Sequence, residues 1–242
     1  MSEPPASRAG TLYLVPTLLG ASAVDAVLPG QVLERVRGLP VFIAESAKSA
    51  RHFLKAIGYP RVLAQTPIQE LNEHTVAARL PQLLDPLRAG LDVGLLSEAG
   101  CPAVADPGSA LVGLAHEEGF RVVPLVGPSS LLLALMASGL EGQRFCFHGY
   151  LPVDRAARDE HIRRLERESR ANRAAQLVIE TPYRNNRLLE AFLAVCQADT
   201  RLCIAADLSL ATQTIRTRRI AQWRGGLPDL DKRPAVFVLQ SA

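Results

Sequence analysis

The chain has 242 residues, of which 48% are hydrophobic and 21% charged, and 27 basic against 24 acidic side chains give it a net charge of +3. This length allows one large domain or two smaller ones, each with a real core. So small a net charge is not that of a protein that coats DNA or a membrane surface, and near-average glycine and proline usage excludes collagen-like and low-complexity chains.

The charge is unevenly distributed along the chain. Residues 1–148 carry 11 basic and 13 acidic side chains, a net of −2, whereas residues 149–242 carry 16 basic and 11 acidic, a net of +5. Such a difference between segments favours two units with different partners.

The first 148 residues predict alternating strands and helices. Residues 1–10 hold an acid, two prolines and no apolar run, which predicts a flexible tail. Strands are predicted at residues 11–16, 40–44, 91–97, 120–125 and 144–148, and helices at residues 46–57, 73–89, 109–118 and 129–138. This alternation predicts a first α/β domain over residues 11–148, with a mainly parallel sheet between layers of helices.

Residues 149–153 are predicted to link this domain to a second one of different composition, residues 154–242. Asp154 can cap a highly charged helix that runs to Arg173 and contains seven arginines. The elements expected after it are a strand at 175–181, a helix at 183–197, and strands at 201–206, 212–220 and 234–240 with a turn at Gly225-Gly226. The fold class predicted for the whole chain is therefore α/β, with a mixed sheet in the second domain.

Several common classes of site are absent from the sequence. The four cysteines and five histidines lack the spacing of zinc or redox motifs, so we expect no metal site. The most apolar stretch, residues 131–140, is well short of the roughly 20 residues that a membrane span needs, so we expect a cytoplasmic protein. Residues 16–20 read PTLLG, which excludes the glycine-rich turn of a Rossmann site, and no P-loop motif occurs.

Two loops at the ends of predicted strands are placed for a ligand. Residues 97–102 read SEAGCP and continue to Asp106-Pro107-Gly108, at the edge of the sheet where open parallel sheets bind ligands. Asp106 is equally well explained as a helix cap. Residues 126–130 read VGPSS and lead into a helix whose free N–H groups suit an anionic group, although capping by Ser129 explains the same residues.

Five segments, taken in order, resemble the tetrapyrrole-methylase-type superfamily of S-adenosylmethionine-dependent methyltransferases. Within it the resemblance is to the branch that methylates a cytidine ribose 2′-oxygen in small-subunit ribosomal RNA. The segments are GTLYLVPTLLG at 10–20, SEAGCPAVADPG at 97–108, VVPLVGPSSLLLALMASGL at 122–140, RFCFHGYLP at 144–152 and ETPYR at 180–184.

The resemblance implies two α/β domains with S-adenosyl-L-methionine in the cleft between them, and a homodimer. It implies that the cofactor contacts residues from both domains, namely Ser97, Glu98, Ala99, Gly100, Cys101, Pro102, Ser129, Ser130, Leu151, Thr181, Pro182, Ala206, Asp207 and Leu208. An oxygen nucleophile must lose its proton, and Glu45, Glu98 and Asp106 are the candidate bases.

The chain departs from the ribosomal branch at three motifs. That branch reads SDAGTP, EDTR and ARELTK, where this chain reads SEAGCP at 97–102, ESAK at 45–48 and AADLSL at 205–210. We therefore expect the cofactor site to carry over more securely than the ribosomal target.

Three functions remain open on the sequence alone. RNA or a ribosomal subunit is the expected substrate because of the resemblance and the basic second half, although the arginine-rich helix also fits a solvated surface with its own acids. A tetrapyrrole C-methyltransferase is the second hypothesis, disfavoured by the loop at 16–20. A non-catalytic RNA- or ribosome-binding relative is the third, motivated by the altered motifs.

Overall fold

The computed structural model describes residues 9–241, so the predicted tail at residues 1–10 lies outside the described residues except for its last two positions. The chain divides into two compact units between Pro128 and Ser129, whereas the sequence placed this division at residues 149–153. The predicted α/β class is confirmed, because each unit is built on one five-stranded sheet with helices.

The first unit contains a fully parallel sheet with the strand order β3-β2-β4-β1-β5. Its strands are β1 (Thr11–Val15), β2 (Val41–Ala44), β3 (Ile68–Glu70), β4 (Val93–Leu96) and β5 (Arg121–Pro124). Its helices are α1 (Gly30–Gly38), α2 (Ala47–Ala56), α3 (Leu80–Leu83), α4 (Asp85–Arg88) and α5 (Gly108–Glu117), with short 3₁₀ helices at Val24–Ala26 and Ala77–Arg79.

The central strands of this sheet are buried on both faces, as their continuous apolar runs predict. Phe42 and Leu96 belong to a cluster with α1 and α2, while Ile43 and Leu95 belong to a second cluster with α3, α4 and α5. Two apolar layers therefore hold β2 and β4 at the centre of the unit.

The sequence prediction was wrong for residues 73–89, which do not form one helix. The segment contains a 3₁₀ turn followed by the two four-residue helices α3 and α4. Pro81 and Pro86 stand in the first turns of α3 and α4, where the missing N–H is tolerated. Within one continuous helix, each proline would remove a hydrogen bond and clash with the preceding turn. The sequence analysis also missed α1 and the short strand β3.

The second unit contains a mixed sheet with the strand order β6-β7-β10-β8-β9. Its strands are β6 (Phe145–Tyr150), β7 (Ala175–Ile179), β8 (Arg201–Ala206), β9 (Thr214–Arg219) and β10 (Ala235–Gln240). Its helices are α6 (Ser130–Ser138), α7 (Arg155–Asn172), α8 (Asn185–Val195) and α9 (Ile220–Trp223), with a 3₁₀ turn at Pro182–Arg184.

The prediction that residues 144–148 end the first sheet was wrong. This strand is β6, and it pairs in parallel with β7 at the edge of the second sheet. Parallel neighbours need a crossover connection, and the 18-residue helix α7 supplies it. Likewise β9 and β10 do not form a hairpin, because β8 lies between them and pairs antiparallel with both.

The core of the second unit is formed between its sheet and α7, α8 and α9. Phe237 of β10 is fully buried, and its ring centre lies 5.7 Å from that of Phe192 in α8. Trp223, the only tryptophan of the chain, is buried in the same cluster and donates its indole N–H to the carbonyl of Leu202 at 2.9 Å.

We expect Phe237→Ala to lower the free energy of unfolding of the second unit by about 3–5 kcal/mol, because it opens a cavity at the central strand. Denaturant titration followed by Trp223 fluorescence measures this change within the same cluster. The matched control is Tyr183→Ala, whose side chain is 74% exposed, with an expected change of about 0.5 kcal/mol or less. Equal losses for the two variants would contradict this account of the core.

Candidate functional site

The candidate site of the first unit lies at the carboxyl edge of its sheet. Strand β4 pairs with β1 on one side and β2 on the other, and Leu96 is opposite both Val15 and Ala44. The three strands therefore end at the same level. Their loops begin with Pro16, Glu45 and Ser97, so one edge collects three of the segments that the sequence singled out.

Residues 97–102 form a loop that is stabilised by hydrogen bonds from the hydroxyl group of its first residue, Ser97. The hydroxyl of Ser97 hydrogen-bonds with the carbonyls of Ala99 at 3.3 Å and Gly100 at 3.2 Å. Thr17 adds two bonds from the neighbouring loop: its N–H donates to the carbonyl of Gly100 at 2.9 Å, and its hydroxyl to that of Ser97 at 3.3 Å. Ser97 and Thr17 therefore stabilise the conformation of this loop.

Gly100 is the point of close approach in this loop. Its φ is +74°, and an added Cβ would lie 3.2 Å from Leu19 and 3.5 Å from the carbonyl oxygen of Pro128. The Cys101 thiol hydrogen-bonds with that same carbonyl at 3.4 Å. Burial raises the pKa of this thiol, so it stays protonated and acts as a donor.

A second glycine brings the loop after β5 to the same edge. An added Cβ on Gly127 would lie 2.3 Å from the side chain of Pro16, which is closer than any real carbon contact. The sequence analysis did not assign this role to Gly127 or Thr17. In the sequence this role is indicated only by the glycine that precedes Pro128. The side chain against which Gly127 packs belongs to Pro16, more than a hundred positions away, so the local sequence does not reveal the contact.

Asp106 stabilises the loop that follows residues 97–102. Its carboxylate accepts hydrogen bonds from the N–H groups of Ala103 at 2.9 and 3.0 Å and Gly108 at 2.7 Å. Ala103 and Ala105 both have a positive φ, of 65° and 61°, which is strained for a residue with a Cβ. These contacts agree with the interpretation of Asp106 as a helix cap, because Gly108, whose N–H binds the carboxylate, is the first residue of α5.

The three candidate carboxylates lie near one another. Glu45 is half-buried, and its pKa is raised by burial first and then by the negative charges of Asp106 and Glu98, while the N–H of Glu98 partly offsets the effect. Burial also raises the pKa of Asp106, and the hydrogen bonds from the N–H groups of Gly108 and Ala103 partly offset this increase. Glu98 is exposed and accepts a hydrogen bond from the hydroxyl of Ser49 at 3.2 Å. This edge is consequently negative, which suits a cationic ligand.

The residues predicted at the start of α6 form an open helix N-terminus in the second unit. The Ser129 hydroxyl accepts a hydrogen bond from the N–H of Leu132 at 3.5 Å, so Ser129 caps the helix. Ser130 is the first helical residue, and N–H groups in the first turn of a helix favour an anionic group.

The other predicted residues of the second unit contribute mainly to its packing. Leu151, Ala206 and Leu208 are buried, so their side chains are not offered to a ligand. Asp207, at φ 53°, accepts a hydrogen bond from Arg233 at 2.8 Å. Thr181 and Pro182 are half-buried and begin a 3₁₀ turn.

The second unit also has a cavity of about 310 Å³ that no predicted site residue lines. Its walls come from the start of β6 and the end of α7: Gln143, Arg144, Phe145, Cys146, Glu168, Asn172, Ala174 and Gln176. Within residues 9–241, no group of three or more histidine, cysteine, aspartate or glutamate side chains is arranged to hold a metal ion. No helix in that range is long and apolar enough to cross a membrane.

Comparison with known proteins relates the chain to methyltransferases. A family model of tetrapyrrole (corrin/porphyrin) methylases matches residues 20–223. A relative in Pseudomonas aeruginosa, ribosomal RNA small subunit methyltransferase I, is 32% identical over 214 residues, which is 88% of this chain and 72% of the relative.

Two solved structures share the fold. The methyltransferase CobJ superposes with a TM-score of 0.64 at 19% identity, over 97% of this chain and 95% of that one. Uroporphyrin-III-C-methyltransferase from Thermus thermophilus superposes with a TM-score of 0.55 at 20% identity, over 96% of this chain and 92% of that one.

We expect Glu45→Gln to make the first unit more stable at neutral pH. The raised pKa means that the folded state holds this proton more tightly than the unfolded state, so stability falls as the pH rises above the ordinary range of a glutamate. Glutamine keeps an acceptor for the Glu98 N–H but carries no charge. The difference in Tm between the variant and the wild-type protein, measured by calorimetry between about pH 4 and 7, should therefore grow with pH.

The matched control for this prediction is Glu34→Gln, on the exposed side of α1. At neutral pH the gain in Tm for Glu45→Gln should exceed the change in Tm for Glu34→Gln, because Glu34 is exposed and Glu45 is half-buried. A Tm difference for Glu45→Gln that is constant or shrinks with rising pH would contradict the electrostatic account of the site.

Proposed function

The chain belongs to the tetrapyrrole methylase family of methyltransferases, and we propose that it transfers a methyl group from S-adenosyl-L-methionine to RNA. The ribosomal RNA methyltransferase of Pseudomonas aeruginosa, which the chain matches over most of both sequences, is the observation that supports RNA as the substrate. By the resemblance of its motifs, the proposed target is a ribose 2′-oxygen of small-subunit ribosomal RNA. The two solved methyltransferase structures share the fold at 20% identity or less. A likeness at this level supports the fold and is no argument that the chain acts on their substrates.

The loop at residues 97–102 fits the proposed cofactor. When bound, S-adenosyl-L-methionine supplies a methyl group on a positively charged sulfur, so the reaction needs positioning and exclusion of water more than activation. Glu45, Glu98 and Asp106 make this edge suitable for a cation. A Cβ on Gly100 would press against Leu19 and one on Gly127 against Pro16, so these two glycines let the loops of this edge pack closely together.

The predicted contacts of the second unit remain part of the proposal. The N-terminus of α6 at Ser129 and Ser130 suits the carboxylate of the cofactor's amino-acid moiety. Leu151, Ala206 and Leu208 have buried side chains, so any contact from them is made by the main chain. Thr181, Pro182 and Asp207 complete the proposed set.

The contacts of the three candidate bases separate their roles. The Asp106 carboxylate is engaged by the N–H groups of Ala103 and Gly108, so it supports the loop conformation. Glu45 and Glu98 accept fewer hydrogen bonds and remain the candidates for taking the proton of a hydroxyl nucleophile. The raised pKa of Glu45 brings it closer to the neutral range in which a general base works best.

One departure from the ribosomal branch leaves the loop chemistry intact. Cys101 stands where the SDAGTP motif has threonine, and its protonated thiol hydrogen-bonds with the Pro128 carbonyl as a hydroxyl could. The altered segments at 45–48 and 205–210 are the reason for testing catalysis as well as binding.

The test of this proposal is methyl transfer from radiolabelled S-adenosyl-L-methionine. We expect binding of the cofactor in calorimetry and label in small-subunit ribosomal RNA taken from cells that lack the protein. Label in a uroporphyrinogen-type compound and none in RNA would replace RNA by a tetrapyrrole. RNA binding with no affinity for the cofactor would favour a non-catalytic relative and overturn the proposal.

Gly100→Ala should weaken cofactor binding about tenfold, because an L-residue at this φ costs about 1–2 kcal/mol and its Cβ crowds Leu19. The matched control is Gly113→Ala in α5, where an added Cβ meets nothing within 4 Å. The affinity of Gly113→Ala should equal that of the wild-type protein. Equal affinities for the two variants would remove the 97–102 loop from the proposed cofactor site.

We also propose that the protein is a cytoplasmic homodimer. Leu132 and Met136 support a second copy as partner, because they are four residues apart on one side of α6 and are 52% and 79% exposed. Cytoplasmic location follows from a ribosomal substrate. Light scattering should give twice the 26.1 kDa chain mass for the wild-type protein and for Met136→Leu, and the single-chain mass for Met136→Glu. A wild-type protein with the single-chain mass would contradict the dimer.

A further inference from the structure

The segment between Asp207 and Asp229 is the most one-sidedly charged part of the second unit. It carries four arginines, at 216, 218, 219 and 224, and no acidic residue. Three of the four lie on β9, which is an edge strand of the second sheet and pairs only with β8. The positive charge is therefore displayed along one open edge.

Two of these arginines have structural roles within the unit. Arg218 lies over the ring of Trp223, 5.1 Å from its centre, and Arg224 donates a hydrogen bond to the carbonyl of Leu193 at 2.9 Å. Arg216 and Arg219 are exposed and make no ion pair with any residue in the range 9–241. These two are available to an external anion.

Arg216 and Arg219 are three positions apart and therefore face opposite sides of β9, and strand pairing adds a third cation beside Arg219. Arg201 of β8 is directly opposite Arg219 of β9, and like charges at opposite positions destabilise a sheet. Arg201 donates a hydrogen bond to the side chain of Gln240 at 2.9 Å and makes no ion pair within the described residues. Since the fold itself does not neutralise this repulsion, a bound anion would relieve it.

The arginine-rich helix α7 is different, although it has more arginines. Five of its six arginines are within 4 Å of an acidic side chain of the same helix: Arg155, Arg158, Arg163, Arg164 and Arg167. The single carboxylate of Glu160 pairs with both Arg163, at 3.4 Å, and Arg167, at 3.1 Å. Most of α7 is therefore a solvated surface, and the charge of its arginines is largely neutralised by acids of the same helix.

Phosphate is the anion that the chemistry of this edge favours. Every basic residue between Asp207 and Asp229 is arginine, whose planar guanidinium binds phosphate through two parallel hydrogen bonds. The only aromatic residue of the segment, Trp223, is buried and cannot stack on bases. Contacts here would reach the RNA backbone and carry no sequence information.

We propose that the β9 edge binds the phosphate backbone of the RNA substrate, with Arg216 and Arg219, one on each face of the strand, as its main contacts and Arg201 beside Arg219. This inference rests on the proposed function and adds the surface on which the RNA is held. It also assigns α7 no direct part in phosphate binding. An edge strand with charged side chains is protected from pairing with other chains as well, and the same arginines serve both purposes.

The test compares two double variants of the full chain that remove equal charge. Arg216→Gln/Arg219→Gln should weaken binding of a fluorescein-labelled single-stranded RNA of mixed sequence. Each lost phosphate contact corresponds to about fivefold in affinity at 0.1 M salt, hence about 25-fold for two, and the salt slope should fall by about 1.4. The matched control Arg163→Gln/Arg167→Gln should stay within about twofold, since those charges are already paired with Glu160.

Thermal unfolding separates binding from a structural role. Removing Arg219 relieves the repulsion with Arg201, so the β9 double variant should have a Tm equal to or above that of the wild-type protein. Weaker RNA binding together with a lowered Tm would mean that the arginines hold the fold, and this would overturn the inference. Equal weakening by the two double variants would also overturn it, because binding would then follow net charge alone.

Two further outcomes distinguish this inference from the proposed function. If the wild-type protein methylates RNA but the β9 double variant binds RNA unchanged, the surface is wrong and the methyltransferase proposal stands. If the β9 double variant alone loses RNA binding but the wild-type protein labels no RNA, the surface stands and the proposed function fails. Cofactor binding, measured by calorimetry, should be the same in all of these proteins.

Discussion

The parallel pairing of β4 with both β1 and β2 is the constraint on which the candidate site of the first unit depends. Because Leu96 is level with Val15 and Ala44, the three strands end together and their loops begin side by side. The hydrogen bond from the Thr17 N–H to the Gly100 carbonyl then adds an isolated antiparallel bridge just beyond the ends of β1 and β4. Two apolar layers hold these strands in place, so the packing of the core determines where the loop lies.

The loop itself shows how a fold stores strain beside a site. Ala103 and Ala105 occupy the left-handed region, and Gly100 occupies it at no steric cost. The Asp106 carboxylate compensates by binding the N–H groups on both sides of the strained segment. A side chain that looks catalytic in the sequence thus supports the loop conformation, whereas in the same cluster Glu45 is half-buried and Glu98 is exposed.

Charge is organised differently in the two units. In the first unit, the half-buried Glu45 and Asp106 and the exposed Glu98 gather at one sheet edge, and burial followed by the charges of the other two raises the pKa of Glu45. In the second unit, acids and arginines neutralise each other along α7, while the arginines of β9 form no ion pair with any residue in the described range 9–241. The small net charge of the whole chain hides this pattern, because what matters for a ligand is which charges lack an internal partner.

The sequence by itself determined the family, the α/β class, most of the strands and the position of residues 97–102 directly after one of them. These depend on local apolar runs, turn residues and ordered motifs, which a linear chain displays directly. It could not determine that residues 145–150 join the second sheet, that β8 separates β9 from β10, or that Gly127 packs on Pro16. Nor could it show that five arginines of α7 form ion pairs and that, within the described residues, those of β9 form none. These features arise from contacts between distant residues, and only the tertiary structure decides which strand becomes a neighbour and which charge finds a partner.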